Sequence, residues 1–281
     1  MNFVLVMGSR NTSSWSFRPW LALRQGRVAF EEVVIELRRS DTVRRIAEWS
    51  PSSRVPVLMI DGRPIWDSMA ICELAAELAP ELWPADPIAR AHARAVSAEM
   101  HSGFAPLRRF LPMDFAARFA PPGMLLREVA RDVARIEAIW TDCRRRHGEA
   151  GPFLFGAFSI ADAMYAPVIS RFQTYGIEVG ADAQAYMTAM RALPAWEEWA
   201  AACAAEEQGP ARAAVAAWAE SLADDSMSPG PVTAAQIGST AGEQAPRGLR
   251  PELAPQSQAA RARVTRAGEI KPIGDGIHRR R

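Results

Sequence analysis

Hydrophobic and polar positions change rhythm twice along the chain. From Phe3 to about Pro80, short apolar runs alternate with amphipathic stretches. Phe3 to Met7 reads as a strand, and a polar loop from Gly8 to Ser14 follows it. Trp15 to Gln25 predicts a helix, with Gly26 as its stop. Phe30 to Leu37 is a second strand centred on Val33, Val34 and Ile35, and Asp41 to Trp49 a short helix capped by Ser40 or Asp41. Val55 to Ile60 is a third strand, Asp61-Gly62 a hairpin turn, and Pro64-Ile65 the opening of a fourth strand. Asp67-Ser68 caps a helix from Met69 to Leu78. The order β-α-β-α-β-β-α describes a compact α/β domain over residues 1–80.

Residues 81–87, with Trp83-Pro84-Ala85-Asp86-Pro87 at their core, read as a linker. Beyond it the period-two signal vanishes. Pro87 to about Phe110 is expected as one long helix opened by proline. Leu125 to Arg146 is another, with Val129, Val133, Ile136, Ile139 and Trp140 on one face. Ile160 to Tyr175 and Ala183 to Leu193 follow, and Pro194 starts the last helical pieces, which run to about Leu222. Residues 88–222 are thus expected as an all-α domain. The third zone, residues 223–281, has no aromatic residue and no periodicity. Its nine basic residues against six acidic leave a net charge of +3. So little apolar surface cannot offset the ordering entropy, and the zone is expected to be a disordered, low-complexity tail.

Composition narrows the function classes. With 49% hydrophobic and 23% charged residues the chain is ordinary for a globular protein. A net charge of +1 supplies no global field to attract nucleic acid or an anionic membrane. The apolar runs are short, so no membrane span and no signal peptide is expected. Cys72, Cys143 and Cys203 are odd in number and far apart, which points to free thiols in a reducing cytoplasm. His92, His101, His147 and His278 have no metal-ligand spacing, so no metal is expected.

Four local features carry chemistry. The loop Ser13-Ser14-Trp15-Ser16-Phe17-Arg18 runs into Ala22-Leu23 and ends at a helix N-terminus, where an anion is stabilised. The same cluster also suits simple helix capping. Arg54-Val55-Pro56-Val57 sets a proline at a strand start, where an X-Pro bond tolerates cis cheaply. Asp67-Ser68 precedes a helix and can either cap it or meet the ends of an amino acid. Ser159-Ile160-Ala161-Asp162 is a capping box, read as structural.

Together these features resemble the cytosolic glutathione S-transferases of serine type (zeta, tau and phi classes) over residues 2 to 221. The resemblance implies a thioredoxin-like N-terminal domain, an all-helical C-terminal domain and glutathione as co-substrate, in a cytoplasmic homodimer. Matching Arg18 and Ala22-Leu23 to the family's Arg-x-x-x-Ala-Leu run makes Ser13 the catalytic residue, with Ser14 and Ser16 as competitors. It makes Ser14, Arg54, Val55, Pro56, Asp67 and Ser68 the glutathione-binding set. The zeta class has a cysteine where Trp15 stands. The family's electrophile pocket implies Trp15, Met100, His101, Phe104 and Arg108 as lining, with Phe17 and Arg109 as further candidates. Arg18 reads equally as an aid to the thiolate or as a structural ion pair.

The implied chemistry is activation of the glutathione thiol for attack on a small electrophile. Glutathione-dependent cis–trans isomerisation of a dicarboxylic acid such as maleylacetoacetate, and a non-catalytic glutathione-binding module, are the alternatives. The thiol has an ordinary pKa of roughly 8.5. Lowering it by about two pH units takes about 2.7 kcal/mol of preferential thiolate stabilisation. One hydroxyl donor and a helix N-terminus together can supply it.

Overall fold

The structure is a computed structural model that describes residues 1–206. The helical pieces expected beyond Glu206 and the tail expected from Ala223 to Arg281 lie outside the described residues.

Four strands form one sheet in the order β2-β1-β3-β4. They are β1 (Phe3–Gly8), β2 (Glu31–Ile35), β3 (Val57–Ile60) and β4 (Arg63–Trp66). β1 and β2 are parallel, with Val6 opposite Val33. β1 pairs antiparallel with β3, Leu5 opposite Leu58, and β3 with β4, Leu58 opposite Ile65. The β1–β2 crossover is made by α1 (Ser14–Gln25), and α2 (Thr42–Ala47) and α3 (Ser68–Leu78) complete the α/β unit. Asp61 and Gly62 both have positive φ, 46° and 79°, as a tight two-residue hairpin requires.

A short 3-10 turn at Pro80–Leu82 leads out of this unit. The Trp83 indole stays buried and donates to Glu73 at 3.0 Å. Asp86 caps the next helix by accepting from Ala89 N at 2.6 Å. The second unit contains α4 (Pro87–Ser102), α5 (Ala105–Phe110), α6 (Arg127–His147), α7 (Ile160–Thr174), α8 (Ala181–Arg191) and α9 (Pro194–Glu206).

One expectation fails here. The helix expected from Pro87 to Phe110 is broken in two at Gly103-Phe104. Phe104 is left-handed at φ 57°. Gly103 ends the first helix in an extended conformation, and Pro106 stands in the first turn of the next, where its missing N–H costs no helical hydrogen bond. The Arg108 guanidinium closes the break by donating to the carbonyls of Met100 and Gly103.

The core runs through both units. α1 packs against α3 on one side and α7 on the other. Phe17 lies in a cage of Phe115, Trp196 and Trp199, with Trp199 at 4.7 Å, and Trp20 meets Trp199 at 4.9 Å. Burying aromatic side chains of this size gives the interface the character of a domain interior. The helix that carries the Ser13 turn is therefore fixed from both sides.

The second unit's capping box forms where the sequence predicts it. Asp162, fully buried, accepts from Ser159 N at 2.8 Å, from the Ser159 hydroxyl at 2.9 Å and from Leu154 N at 3.0 Å. Burial raises its carboxyl to about 6 against the pull of those donors.

Candidate active site

The turn after β1 is built from serines with distinct partners. Ser13 is the residue before α1, but its side chain does not cap the helix. Its hydroxyl instead pairs with the Ser16 hydroxyl at 2.8 Å. Ser16, with no exposed surface, also accepts from Gly8 N at 3.1 Å and so ties the turn to the sheet. Ser14 accepts from Arg171 Nη2 at 3.2 Å. Both Ser13 and Ser14 line the cleft, and Ser16 is packed behind them.

The cleft has two adjoining lobes that share Trp15, Arg54 and Val55 as walls. The first, about 530 Å³, is lined also by Pro56, Asp67, Ser68 and His101. The Val55-Pro56 bond is cis. Asp67 sits at φ 77°, a strained setting for a residue with a side chain, and its carboxylate accepts from Met69 N at 2.8 Å. His101 Nε2 lies 3.4 Å from the other Asp67 oxygen. Ser68 is 2% exposed, and its hydroxyl has no hydrogen-bond partner among the described residues. A buried hydroxyl left without a partner is costly. At the start of α3 it stands where helix N–H groups also seek an acceptor. An amino-acid carboxylate is a ligand whose chemistry satisfies both.

The second lobe, about 470 Å³, is lined by Ser13, Ser14, Arg108, Pro112 and Arg171 among others. Its electrostatics are one-sided. Arg171 is buried and donates to the carbonyls of Leu111 and Pro167 besides Ser14, so its partners are neutral. Burial lowers its guanidinium to about 10, and Arg108 adds to the effect. Arg18, one turn along α1 from Ser14, has no exposed surface. Its Nε donates to Met164 O at 3.0 Å, and both Nη atoms lack partners among the described residues. Burial, then Arg171 and Arg108, lower it to about 9. The Trp15 ring lies between two of these cations, Arg18 at 4.2 Å and Arg108 at 5.4 Å, with the edge of His101 at 5.2 Å.

The glutathione S-transferase N-terminal domain family matches residues 12–78, and the glutathione S-transferase C-terminal domain family matches residues 89–202. The chain belongs to the glutathione S-transferase family. It is 39% identical over 106 residues to a Caenorhabditis elegans protein named "Probable maleylacetoacetate isomerase". That match covers 37% of this chain, which spans about half the length (49%) of that relative. The crystal structure of maleylacetoacetate isomerase from Anaeromyxobacter dehalogenans 2CP-1 is 26% identical, with a TM-score of 0.51 over 70% of this chain and 90% of that one. A glutathione transferase homolog from Burkholderia, crystallised with bound glutathione, shares the fold at 22% identity and a TM-score of 0.53, over 72% of this chain and 97% of that one.

Of the glutathione S-transferase residues expected from sequence, Ser13, Ser14, Arg54, Val55, Pro56, Asp67 and Ser68 all border the cleft, with Trp15, His101 and Arg108. Met100 and Phe104 do not. Both are buried in the core: Met100 continues the core-facing stripe of α4 with Ala93 and Val96, and Phe104 is turned inward by the break at Gly103-Phe104. Arg109 faces Phe110, and Phe17 belongs to the aromatic cage. Arg18 forms no ion pair among the described residues. It meets a carbonyl and an indole. Sequence reasoning missed Arg171. Its signal was present, since an arginine is the one charged residue in the run Tyr165 to Phe172. Among the described residues no group of three or more His, Cys, Asp or Glu is placed to hold a metal, and no helix is long and apolar enough to cross a membrane. The three cysteines are free and buried.

Proposed function

We propose that this chain is a glutathione transferase in which the Ser13 hydroxyl donates to the glutathione sulfur and holds it as thiolate. The observation that carries this is the shared wall of the cleft. Ser13 and Val55 border one lobe, and Val55, Pro56, Asp67 and the unpartnered Ser68 hydroxyl border the next. The backbone beside Pro56 would receive the cysteinyl part as an added strand. Asp67 and Ser68 would take the γ-glutamyl end. The sulfur then falls toward Ser13 and the N-terminus of α1. The S–H proton leaves to solvent, the thiolate attacks the electrophilic carbon, and an S–C bond forms as the leaving group departs with its electron pair or as a double bond is saturated and its other carbon takes a proton from solvent. The bound glutathione of a structural neighbour supports the co-substrate.

A second reading is favoured by one observation. Arg171 and Arg108 line the second lobe and Arg18 lies over the Trp15 ring that walls it, all three with only neutral hydrogen-bond partners. Such a lobe suits an electrophile that brings its own carboxylates. The isomerase names of the relatives agree with that chemistry. The thiolate would add to a conjugated C=C bond, rotation would follow, and elimination would return the thiolate unchanged. Trp15, where the zeta class has a cysteine, counts against a direct transfer of that class's isomerase chemistry. The family also supports a cytoplasmic homodimer, which a sizing measurement tests.

The deciding experiment is an ultraviolet titration of the bound glutathione thiolate in wild type and in Ser13→Ala, Ser14→Ala and Ser16→Ala. The expected result is a midpoint about one pH unit higher or more in Ser13→Ala. An unchanged midpoint there, with a shift in Ser14→Ala, moves the role to Ser14. Isomerisation without loss of free glutathione separates the second reading from conjugation.

A further inference from the structure

Asn11 lies in the turn between β1 and α1, two residues before Ser13, and is 8% exposed. Its side chain makes two hydrogen bonds to the helical unit. Nδ2 donates to Asp114 Oδ1 at 2.8 Å, and Oδ1 accepts from Ala116 N at 2.8 Å. Its main chain makes two more. Asn11 O accepts from Phe115 N at 3.0 Å, and Asn11 N donates to Glu206 at 3.1 Å. All four polar groups of one residue therefore end on the other unit. A side chain at this position must donate and accept at once, which a carboxamide does without charge.

The partner segment, residues 111–119, has no regular secondary structure and is held by α7. Arg171 Nε donates to Leu111 O at 2.8 Å, the Thr174 hydroxyl to Asp114 O at 2.6 Å, and the Tyr175 hydroxyl to Pro112 O at 3.0 Å. Pro112 in turn lines the second lobe. The contacts close a ring. Asn11 grips residues 114–116, the same segment grips Arg171, and Arg171 returns to Ser14, three residues from where the ring began. Glutathione-side groups such as Val55, Asp67 and Ser68 take no part in it.

The geometry points to Asn11 as the positioning residue that sets the Ser13–Ser14 turn against the Arg171 lobe. The role rests on the reading of that turn as the seat of the thiolate. Asn11 touches neither substrate. It acts by fixing where the hydroxyl donors stand, and a small misplacement of such donors is expensive in rate.

The test is the bound-thiolate titration, run with kcat and glutathione KM on the full chain. Asn11→Ala is expected to raise the titration midpoint by about half a pH unit or more. It should also lower kcat by about tenfold with glutathione KM within about twofold. Asn11→Ser is measured beside it, so the comparison stands if the alanine variant does not fold. The exchange Asn11→Asp with Asp114→Asn swaps acceptor and donor. Position 11 still accepts from Ala116 N, so the double variant should recover midpoint and kcat where Asn11→Asp alone, with two facing carboxylates, does not. Wild-type midpoint and kcat in Asn11→Ala and Asn11→Ser overturn the inference, as does failure of the exchange to restore them. Ser13→Ala in the same titration reports separately on the thiolate reading. If Asn11→Ala shifts the midpoint and Ser13→Ala does not, Ser13 loses its role while Asn11 keeps its hold on the turn.

Discussion

The Ser14 hydroxyl accepts a hydrogen bond from the buried Arg171 guanidinium at 3.2 Å, across 157 positions of sequence. The contact joins the first turn of α1 to the last turn of α7. It also occupies one acceptor site of Ser14 while leaving that hydroxyl's own proton free to donate. Ser13 has no such cation, only the Ser16 hydroxyl. The two serines thus enter the cleft with different electrostatic settings, and this difference governs what each substitution should do.

Arg171→Met should discriminate between substrates. An anionic electrophile loses a charge-assisted bond worth about 1.5–3 kcal/mol, so its kcat/KM should fall about tenfold to a hundredfold. A neutral electrophile of the same size should lose much less. Equal losses on both would mean that Arg171 acts through Leu111 and Pro167 as a brace, not as a carboxylate seat.

Ser16→Ala removes the partner of the Ser13 hydroxyl and leaves Gly8 N without its acceptor. The stability cost should be about 1–3 kcal/mol, read from denaturant midpoints. Turnover should fall less than in Ser13→Ala, because the Ser13 hydroxyl then has one competitor fewer for its proton. A turnover loss as large as that of Ser13→Ala would make Ser16 part of the donor set.

Sheet, crossover helix and the Asp67 and Ser159–Asp162 caps were legible in the sequence because each rests on local chemistry, whereas Asp41 precedes α2 without the expected side-chain cap. Asp61-Gly62 selects its turn alone, and Asp67-Ser68 caps its helix whatever packs above. The glutathione lobe was legible for the same reason, since Pro56, Asp67 and Ser68 sit at element ends that local rules mark. The second lobe was not. Its shape depends on the Gly103-Phe104 break, which period-3.6 spacing conceals because apolar residues on either side still fall at helical intervals. Its charge depends on Arg171 meeting Ser14, a pairing no local rule reaches. Asn11 is one polar residue among several in its loop, and only its four partners on the other unit set it apart.

Asp162→Ala should damage folding and spare binding. It strips the acceptor from Leu154 N and Ser159 N, both in a buried setting. Two stranded donors cost about 2–5 kcal/mol in total. Asp162→Asn keeps an acceptor oxygen and should cost less. Glutathione affinity of the folded fraction should match wild type in calorimetry, and a weakened affinity would connect this box to the cleft after all.

A last expectation concerns acid. His92 Nδ1 meets His147 Nε2 at 3.1 Å, where α4 crosses the end of α6, and both rings lie against Phe155. One nitrogen donates and the other accepts, so protonating both rings sets two donors face to face. Burial first, then His147, lower His92 below its ordinary 6.5. Asp142 pulls the other way, and Arg146 adds to the lowering. With the folded pKa below the unfolded one, the unfolded chain binds more protons in that interval. The contribution of His92 to stability is then intact above about 6.5 and is lost as pH falls through the lowered folded value. Asp162 has the opposite sign, since its folded carboxyl at about 6 lies above the unfolded 3.8, and its term weakens as pH rises through 6. Asp142 is held below 3.8 by Arg146 and Arg145 and titrates under this window. The two opposing terms are separated by difference. The loss of urea stability between about pH 7.5 and about pH 5.5 should be smaller in His92→Phe, which keeps the ring contact with Phe155 and removes the proton site. An identical loss in wild type and variant would remove the histidine pair as its source.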